Sequence, residues 1–329
     1  MSINVCVGSK RFFLPPLQSP TIDNLAKYLQ KQGWRSTRFK WRASFGERNL
    51  QFDLLAAECL EFKNLLAKLV ARYCPQVLPE TFCINDQNWS LVLSQIADKY
   101  HDDLVWILKP ALLNNGQHIK IFQRLNQLEQ HYLSSKRMGG EHVLQRYLVS
   151  PHLLRGHKYS IRLFVVITNY AGAYLYPHGY FNVALQSYQP HDFSELGPHL
   201  TNEHLSEPTA NVVQIPTTQF DFYEQFYPQL KATVTAVVKG LKIHYPTAFI
   251  CQRQRAFAIF GFDFMVDADK RVWLLEANHG PWFPIHDEHP LQKHLYRAFW
   301  QALINSFVVP IAMRQPVEYI RYHSFESLL

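Results

Sequence analysis

The chain has 329 residues, 47% of them apolar and 18% charged, which describes a globular protein long enough for two or three domains with their own cores. No apolar run approaches the roughly 20 residues of a membrane span, and the start MSINVCVGSKRFFLPP lacks the basic, apolar and small-residue order of a secretory signal, so a cytoplasmic protein with no membrane partner is expected. The net charge of +7 and pI near 9.1 suit an acidic partner; the basic residues read as spread along the chain, and no zinc-finger or RNA-recognition signature accompanies them, which argues against nucleic acid.

In chain order, residues 1–57 read as a small N-terminal α/β unit. Thr21-Ile22-Asp23 predicts a cap for a helix that runs to about Gln32, with Gly33 as its C′ residue. Trp34 to Phe52 is aromatic and basic and reads as strand or loop. Its arginines Arg35, Arg38, Arg42 and Arg48, with Arg11 upstream, fit either a solvated face or a patch for an acidic ligand. Cys6, Cys59, Cys74, Cys83 and Cys251 are odd in number, far apart and without a CxxC pair, the pattern of reduced structural thiols.

Residues 58–148 read as a central domain. Leu54 to Tyr73 carries apolar residues at helical spacing, and Leu78-Pro79-Glu80 breaks it. Thr81 to Asn85 predicts a strand and Trp89 to Tyr100 a helix. Leu104 to Pro110 is a buried strand ending on Lys109, with Pro110 stopping it. The polar loop 111–118, with Gly116, feeds a strand at Ile119 to Gln123. Such a strand–loop–strand can fold over phosphates with backbone N–H groups, or be an ordinary hairpin. Leu125 to Leu133 reads as a short helix and Val143 to Val149 as a connecting strand.

Residues 149–329 read as a larger C-terminal domain. Lys158 and Arg162 share one face of a strand by period two, and two cations opening a buried strand need an anion; a surface lysine beside a core salt bridge is the alternative. Gly172 to Tyr176 predicts its partner strand. Residues 186–218 lack periodicity and read as a substrate-facing or partly disordered loop. Phe220 to Ile243 and His289 to Val309 predict amphipathic helices. Between them, Ala256 to Pro281 reads as an antiparallel hairpin around the turn Asp267-Ala268-Asp269-Lys270, with Asp263 facing Glu276, and Asn278 on the Glu276 face. Buried acids need a cation, a hydrogen-bond partner or a metal, and an all-oxygen set of Asp, Glu and Asn suits Mg²⁺; an exposed hairpin whose acids meet solvent is the other reading.

Taken together, FGERN at 45–49, LPETF at 78–82, ILKP at 107–110, QRYLVSP at 145–151, HKYSIR at 157–162, YPHGYFN at 176–182, HLTN at 199–202 and FGFDFMVDADKRVWLLEANHGP at 260–281 resemble, in order, the tubulin–tyrosine ligase family. The resemblance implies an ATP-grasp fold, α+β or α/β in class, with a small N-terminal α/β domain and nucleotide between the central and C-terminal domains. It implies ATP and Mg²⁺ as cofactors, and a ligase that activates a carboxylate as an acyl-phosphate. The amino acid, of Tyr or Glu type, would be joined to an acidic protein or peptide tail such as tubulin's. Lys109 and Lys158 stand where the family holds nucleotide phosphates, Gly116 lies in the phosphate loop, and Gln145, Arg146, Tyr147 and Leu148 stand at the adenine hinge. Asp263, Glu276 and Asn278 look like the magnesium triad, and Arg162 like the arginine on the transferred phosphoryl group. Thr201 and Asn202 line the site, and Lys63 matches a lysine of the first central helix.

Three positions depart from the family pattern. Ser160 replaces an aspartate, Asn182 replaces an arginine of the acyl-phosphate pocket, and Gly116 is followed by Gln117 and His118 rather than a second glycine. These departures leave two other outcomes open: an ATP-binding module that has lost transfer, or a ligase that uses a small-molecule carboxylate.

Overall fold

A computed structural model describes residues 10–14, 19–100, 104–202 and 210–329. Cys6 and residues 203–209 of the long aperiodic segment lie outside them. Among the described residues no helix is long and apolar enough to cross a membrane. Cys59 and Cys74 are buried free thiols, Cys83 is half-buried and Cys251 is exposed.

The N-terminal unit holds a parallel sheet of three short strands, β1 (Arg11–Phe13), β2 (Arg35–Ser36) and β3 (Phe45–Gly46), in the order β2-β1-β3. Helix α1 (Pro20–Lys31) starts one residue ahead of the expected cap: Ser19 is the N-cap, and the Thr21 hydroxyl instead donates to the Pro281 carbonyl at 2.6 Å. Gly33, at φ +80°, ends the helix in the left-handed region as expected. The aromatic, basic stretch after it folds as short strands and 3₁₀ turns.

The run 54–73 is two helices, α2 (Leu54–Glu61) and α3 (Lys63–Tyr73). Phe62 between them is extended, at φ −81° and ψ 121°. Apolar spacing continues across the break, so hydrophobic period alone does not reveal it. A four-stranded antiparallel sheet follows, built from β4 (Thr81–Ile84), β5 (Trp106–Pro110), β6 (Lys120–Phe122) and β7 (His142–Arg146) in the order β4-β7-β5-β6. Helices α4 (Trp89–Lys99) and α5 (Leu125–Leu133) cover one face, around Ile96, Trp106 and Leu144.

The largest sheet has seven antiparallel strands. Its spine is β9 (His157–Thr168), flanked by β10 (Gly172–Ala184) and β12 (Phe257–Val266); β11 (Val212–Pro216) and β13 (Val272–His279) lie outside them, and β8 (Leu153–Leu154) and β14 (Glu326–Ser327) add short edges. Strand β10 is longer than the sequence pattern implies, because a bulge between Tyr176 and Tyr180 lets it continue. Strand β11 lies inside the aperiodic segment, which is therefore partly ordered.

On one face of this sheet, odd-numbered residues of β9 (Tyr159, Ile161, Leu163, Val165, Ile167) meet α2, α3 and α6 (Tyr223–His244). On the other face Phe164 and Val166 pack against α1 and the C-terminal helix α7 (Arg297–Leu303), which is flanked by π-helical turns. Each fully buried Leu, Ile or Phe contributes about 1.5–3 kcal/mol relative to exposure. Toward the start of β9 that second face changes character: Lys158, Ser160 and Arg162 continue the stripe in which Phe164 and Val166 lie. Apolar partners end there and a cleft begins.

Candidate active site

The cleft has a volume of about 360 Å³ and is lined from β5, the loop after it, β7 and its continuation, β9, β10, the HLTN segment and the β12–β13 hairpin. All sixteen residues singled out from sequence line it: Lys63, Lys109, Gly116, Gln145, Arg146, Tyr147, Leu148, Lys158, Ser160, Arg162, Asn182, Thr201, Asn202, Asp263, Glu276 and Asn278.

The hairpin supplies the acidic wall. Asp263 pairs with Glu276 across β12 and β13 as expected, but by a different route. Asp267 and Arg271 close a turn in which Lys270 is left-handed at φ 64°. That register alone would set Asp263 opposite Leu275; the pairing of Phe264 with Leu274 and of Asp263 with Glu276 leaves Leu275 as an extra residue, a β-bulge. The bulge resets the alternation, so Leu274 and Ala277 both enter the core while Glu276 and Asn278 face the cleft.

Arg162 lies opposite Asp263 on β9 and donates to it twice, from Nε to Oδ1 and from Nη2 to Oδ2, each at 2.5 Å. Gly261 makes room for this fork, and Gly179 for the Arg162 main chain. A Cβ on Gly261 would lie 2.8 Å from Arg162 Nη1, and one on Gly179 would lie 1.8 Å from the Arg162 carbonyl oxygen. The Asn278 amide nitrogen donates to Asp263 Oδ2 and Glu276 Oε1, both at 3.1 Å, and Lys63 Nζ stands 3.5 Å from Glu276 Oε2. Burial disfavours the Arg162 charge, but Asp263 more than compensates and holds the guanidinium protonated. Burial pushes Asp263 up to about 6, against the pull of Arg162 and with Glu276 adding to the rise. Burial also works against the Glu276 charge, yet Lys63, the Asn278 amide, Lys109 and Arg162 together hold it down to about 2. The two-point contact with Arg162 favours the ionised form of Asp263, as Lys63 and the Asn278 amide favour that of Glu276.

Among the described residues no group of three or more His, Cys, Asp or Glu side chains is gathered as for a metal. The triad offers two carboxylates and one amide. It fits Mg²⁺ if Asn278 turns its amide to present oxygen, since the amide nitrogen now bridges the two carboxylates where a cation would be shared.

Lys109 donates to Gln145 Oε1 at 2.8 Å, and Gln145 in turn donates to Thr81. Burial lowers the Lys109 ammonium to about 8, opposed by Glu276 and reinforced by Lys63. Lys158, 1% exposed, is held well below its ordinary value by burial and then by Lys109. The cleft thus concentrates cations that lack matching anions. Lys63 opens α3, and its Nζ donates to the Leu113 carbonyl at 2.8 Å, tying the loop after β5 down. In that loop Asn115, Gly116 and His118 all have positive φ (56°, 72° and 55°), so His118 stands left-handed where the family pattern has glycine.

The same sheet continues from Arg162 to two neutral positions on β9 and β10. Ser160 and Asn182 are cross-strand partners on β9 and β10. Thr201 donates to Ser160 Oγ at 2.8 Å, and Gln214 donates to Asn182 Oδ1 at 3.1 Å. An apolar slot made by Ile107, Tyr147, Leu200, Met265 and Leu275 completes the cleft.

Gln214 and Glu61 also line the cleft, and sequence reasoning missed both. Gln214 hides in the aperiodic segment, and Glu61 reads as the solvent side of a helix. Burial first, then Glu58, raises the Glu61 carboxyl, against the pull of Lys63.

The N-terminal unit corrects the charge reading. Of 33 basic and 26 acidic residues, nine basic and two acidic lie within residues 10–50, which leaves 24 of each in the remainder. The whole net charge is therefore accounted for by residues 10–50 of this unit. Arg11 and Arg35 are register partners, both exposed, and Arg42 stacks over the exposed rings of Phe39 and Trp41 at 5.1 and 4.6 Å.

Fold and cleft define the class: a mixed α/β protein of the ATP-grasp kind, with a cationic cleft that carries a carboxylate hairpin. The model of the tubulin-tyrosine ligase family matches residues 56–316, and the chain belongs to that family. It is 26% identical over 198 residues to tubulin glycylase 3D of Tetrahymena thermophila, covering 55% of this chain and 19% of that protein. It is 26% identical over 201 residues to the probable tubulin polyglutamylase ttll-9 of Caenorhabditis elegans, covering 56% and 47%. Over 257 residues it is 26% identical to the probable tubulin polyglutamylase TTLL2 of Mus musculus, covering 70% and 44%. The chain matches less than half the length of each of these relatives.

Proposed function

We propose that the protein is an ATP- and Mg²⁺-dependent carboxylate–amine ligase that joins an amino acid to an acidic protein or peptide tail, tubulin's being the one its relatives' names point to. The observation that carries this reading is the convergence of Lys109, Lys158 and Arg162 with Asp263, Glu276 and Asn278 on one cleft. Lys158 is a buried and Lys109 a half-buried cation, both suited to phosphate oxygens, and the apolar slot beside Gln145 to Leu148 suits a purine ring. Bound Mg²⁺ would neutralise developing phosphate charge, held by Asp263, Glu276 and Asn278. Arg162 would stabilise the transferring phosphoryl group.

The acceptor carboxylate oxygen attacks the γ-phosphorus and ADP leaves. The amine nitrogen then attacks the acyl carbon, loses a proton and expels phosphate. The chain's own contribution is orientation and charge stabilisation. The basic N-terminal unit supports an acidic partner, since the chain outside residues 10–50 carries no net charge.

The test is ADP release and product mass with MgATP, single amino acids and acidic tail peptides; no ADP with any combination, despite MgATP binding, would refute ligation. That second outcome, a nucleotide-binding module without transfer, is favoured by Ser160 and Asn182 and by a relative named inactive polyglycylase TTLL10 of Homo sapiens, 26% identical over 218 residues.

A further inference from the structure

We propose that His199 is a positioning residue for Lys158: acting through the Tyr147 hydroxyl, it fixes the ammonium in the cleft and couples nucleotide occupancy to the seating of residues 185–202. The inference rests on the nucleotide reading of the cleft given above.

Lys158 Nζ donates to the Tyr147 hydroxyl at 2.7 Å and lies 4.2 Å from the centre of the same ring. A second ring, Tyr188, stands 5.5 Å away. These contacts partly replace water around a buried cation, and they leave its remaining N–H groups for an anion. The Tyr147 oxygen lies 2.8 Å from His199 Nδ1, and His199 Nε2 lies 2.6 Å from the Asp192 carbonyl oxygen.

The direction of this chain follows from chemistry. A carbonyl oxygen only accepts, so Nε2 carries the proton and Nδ1 of a neutral ring is left as an acceptor. With the His199 Nδ1 lone pair 2.8 Å away, Tyr147 donates its O–H to His199 and turns its lone pairs to Lys158; the Tyr188 hydroxyl beside it, whose own O–H goes to the Val149 carbonyl, is the other acceptor within its surroundings. A protonated His199 would reverse the Tyr147 bond and leave the phenol hydrogen competing with the ammonium. Burial, together with the nearby Lys158 charge, lowers His199 and so favours the neutral ring against the opposing pull of the Asp192 carbonyl. His199 is 1% exposed.

The same residue is the link between two parts of the molecule. Tyr147 belongs to the stretch that leaves β7, whereas His199 sits in the segment that carries Thr201 and Asn202 into the cleft. An anion that draws Lys158 forward pulls on Tyr147, and through it on that segment. His199 also packs against Phe193 at 4.6 Å and Tyr188 at 5.3 Å, so a purely structural role must be separated from the relay.

A double-mutant cycle on MgATP affinity makes that separation. Tyr147→Phe keeps the ring and removes the hydroxyl; His199→Phe keeps the bulk and removes the acceptor; His199→Asn offers an oxygen near the place of Nδ1. By calorimetry, Tyr147→Phe and His199→Phe should each weaken MgATP binding about tenfold or more. The double variant should be no weaker than Tyr147→Phe, and His199→Asn should retain most of the affinity. Hydrogen exchange should show added protection of residues 185–202 by MgATP in the native protein and in His199→Asn, and none in the two Phe variants. Losses that multiply in the double variant, or a His199→Asn as weak as His199→Phe, would overturn the relay and leave the nucleotide reading standing. Absence of MgATP binding by the native protein would instead remove that reading, and the relay with it.

Discussion

The two walls of the cleft solve the same problem in opposite ways. On the hairpin wall Asp263 and Glu276 each meet a cation, Arg162 at 2.5 Å and Lys63 at 3.5 Å. Alongside it in the same sheet, on β9 and β10, Ser160 and Asn182 are neutral, and each accepts a hydrogen bond, from Thr201 and from Gln214. The hairpin acids hold charge that a phosphate and a metal would redistribute, whereas Ser160 and Asn182 hold none, and Gln214 beside them keeps a buried Oε1 without a hydrogen-bond partner. The two departures from the family pattern, at 160 and 182, are register partners across β9 and β10. The resemblance implies an acid at one and a base at the other, so two neutral residues there would keep the same charge balance.

The comparison can be broken most severely by charging the neutral wall. Asn182→Arg alone should destabilise the protein by roughly 3–5 kcal/mol in chemical denaturation, because it buries another cation in a cleft whose cations already lack matching anions, whereas Ser160→Asp, flanked on β9 by Lys158 and Arg162, should cost less. The double variant should recover most of that loss; additive costs would show that the two positions are not coupled. On the charged wall, Glu276→Gln should lower ADP release by about 10²–10³-fold while the fold survives, as read by turnover beside near-UV circular dichroism. Gly261→Val should destabilise by about 1–3 kcal/mol, since its Cβ would stand 2.8 Å from Arg162 Nη1 and an ion-paired guanidinium cannot yield freely.

A smaller effect sharpens the contrast through pH. Burial holds Lys109 near 8, below the value of about 10.5 for an unfolded lysine. Between those values the unfolded chain binds more protons, so the free protein gains stability as pH rises through that window. Nucleotide phosphates favour the charged amine, so MgADP affinity should fall above pH 8, by at most about tenfold per pH unit, with proton uptake on binding. Flat affinity between pH 7 and 9.5 would mean that Lys109 does not meet the phosphates. The mildest change is Arg38→Glu with Arg42→Glu on the basic unit. It should raise the KM for an acidic acceptor protein a few-fold in low salt and leave MgATP binding unchanged.

Much of the cleft was legible because its residues sit at strand ends and in turn-bounded runs, where a lone cation or acid stands out against apolar neighbours. The pairing of Asp263 with Glu276 was legible too. Its cause was not, because the bulge at Leu275 looks like an ordinary leucine in an apolar strand. The break at Phe62 was hidden by the same logic: apolar spacing runs on across it, and only the backbone turn presents Lys63 to the loop after β5. Gln214 and the role of His199 lay in a segment without periodicity, where partners come from tertiary contacts that no local pattern encodes. The confinement of net charge to residues 10–50 was open to counting, yet a scan for basic blocks passes over it because the cations are interleaved with aromatic residues.

The most direct test of the charged wall's role is calorimetric titration of MgATP into the native protein and Glu276→Gln side by side. The account predicts saturable binding by the native protein that the variant weakens at least tenfold in the presence of Mg²⁺, with the difference shrinking when the metal is chelated. Equal binding by both proteins, or none by either, would contradict it.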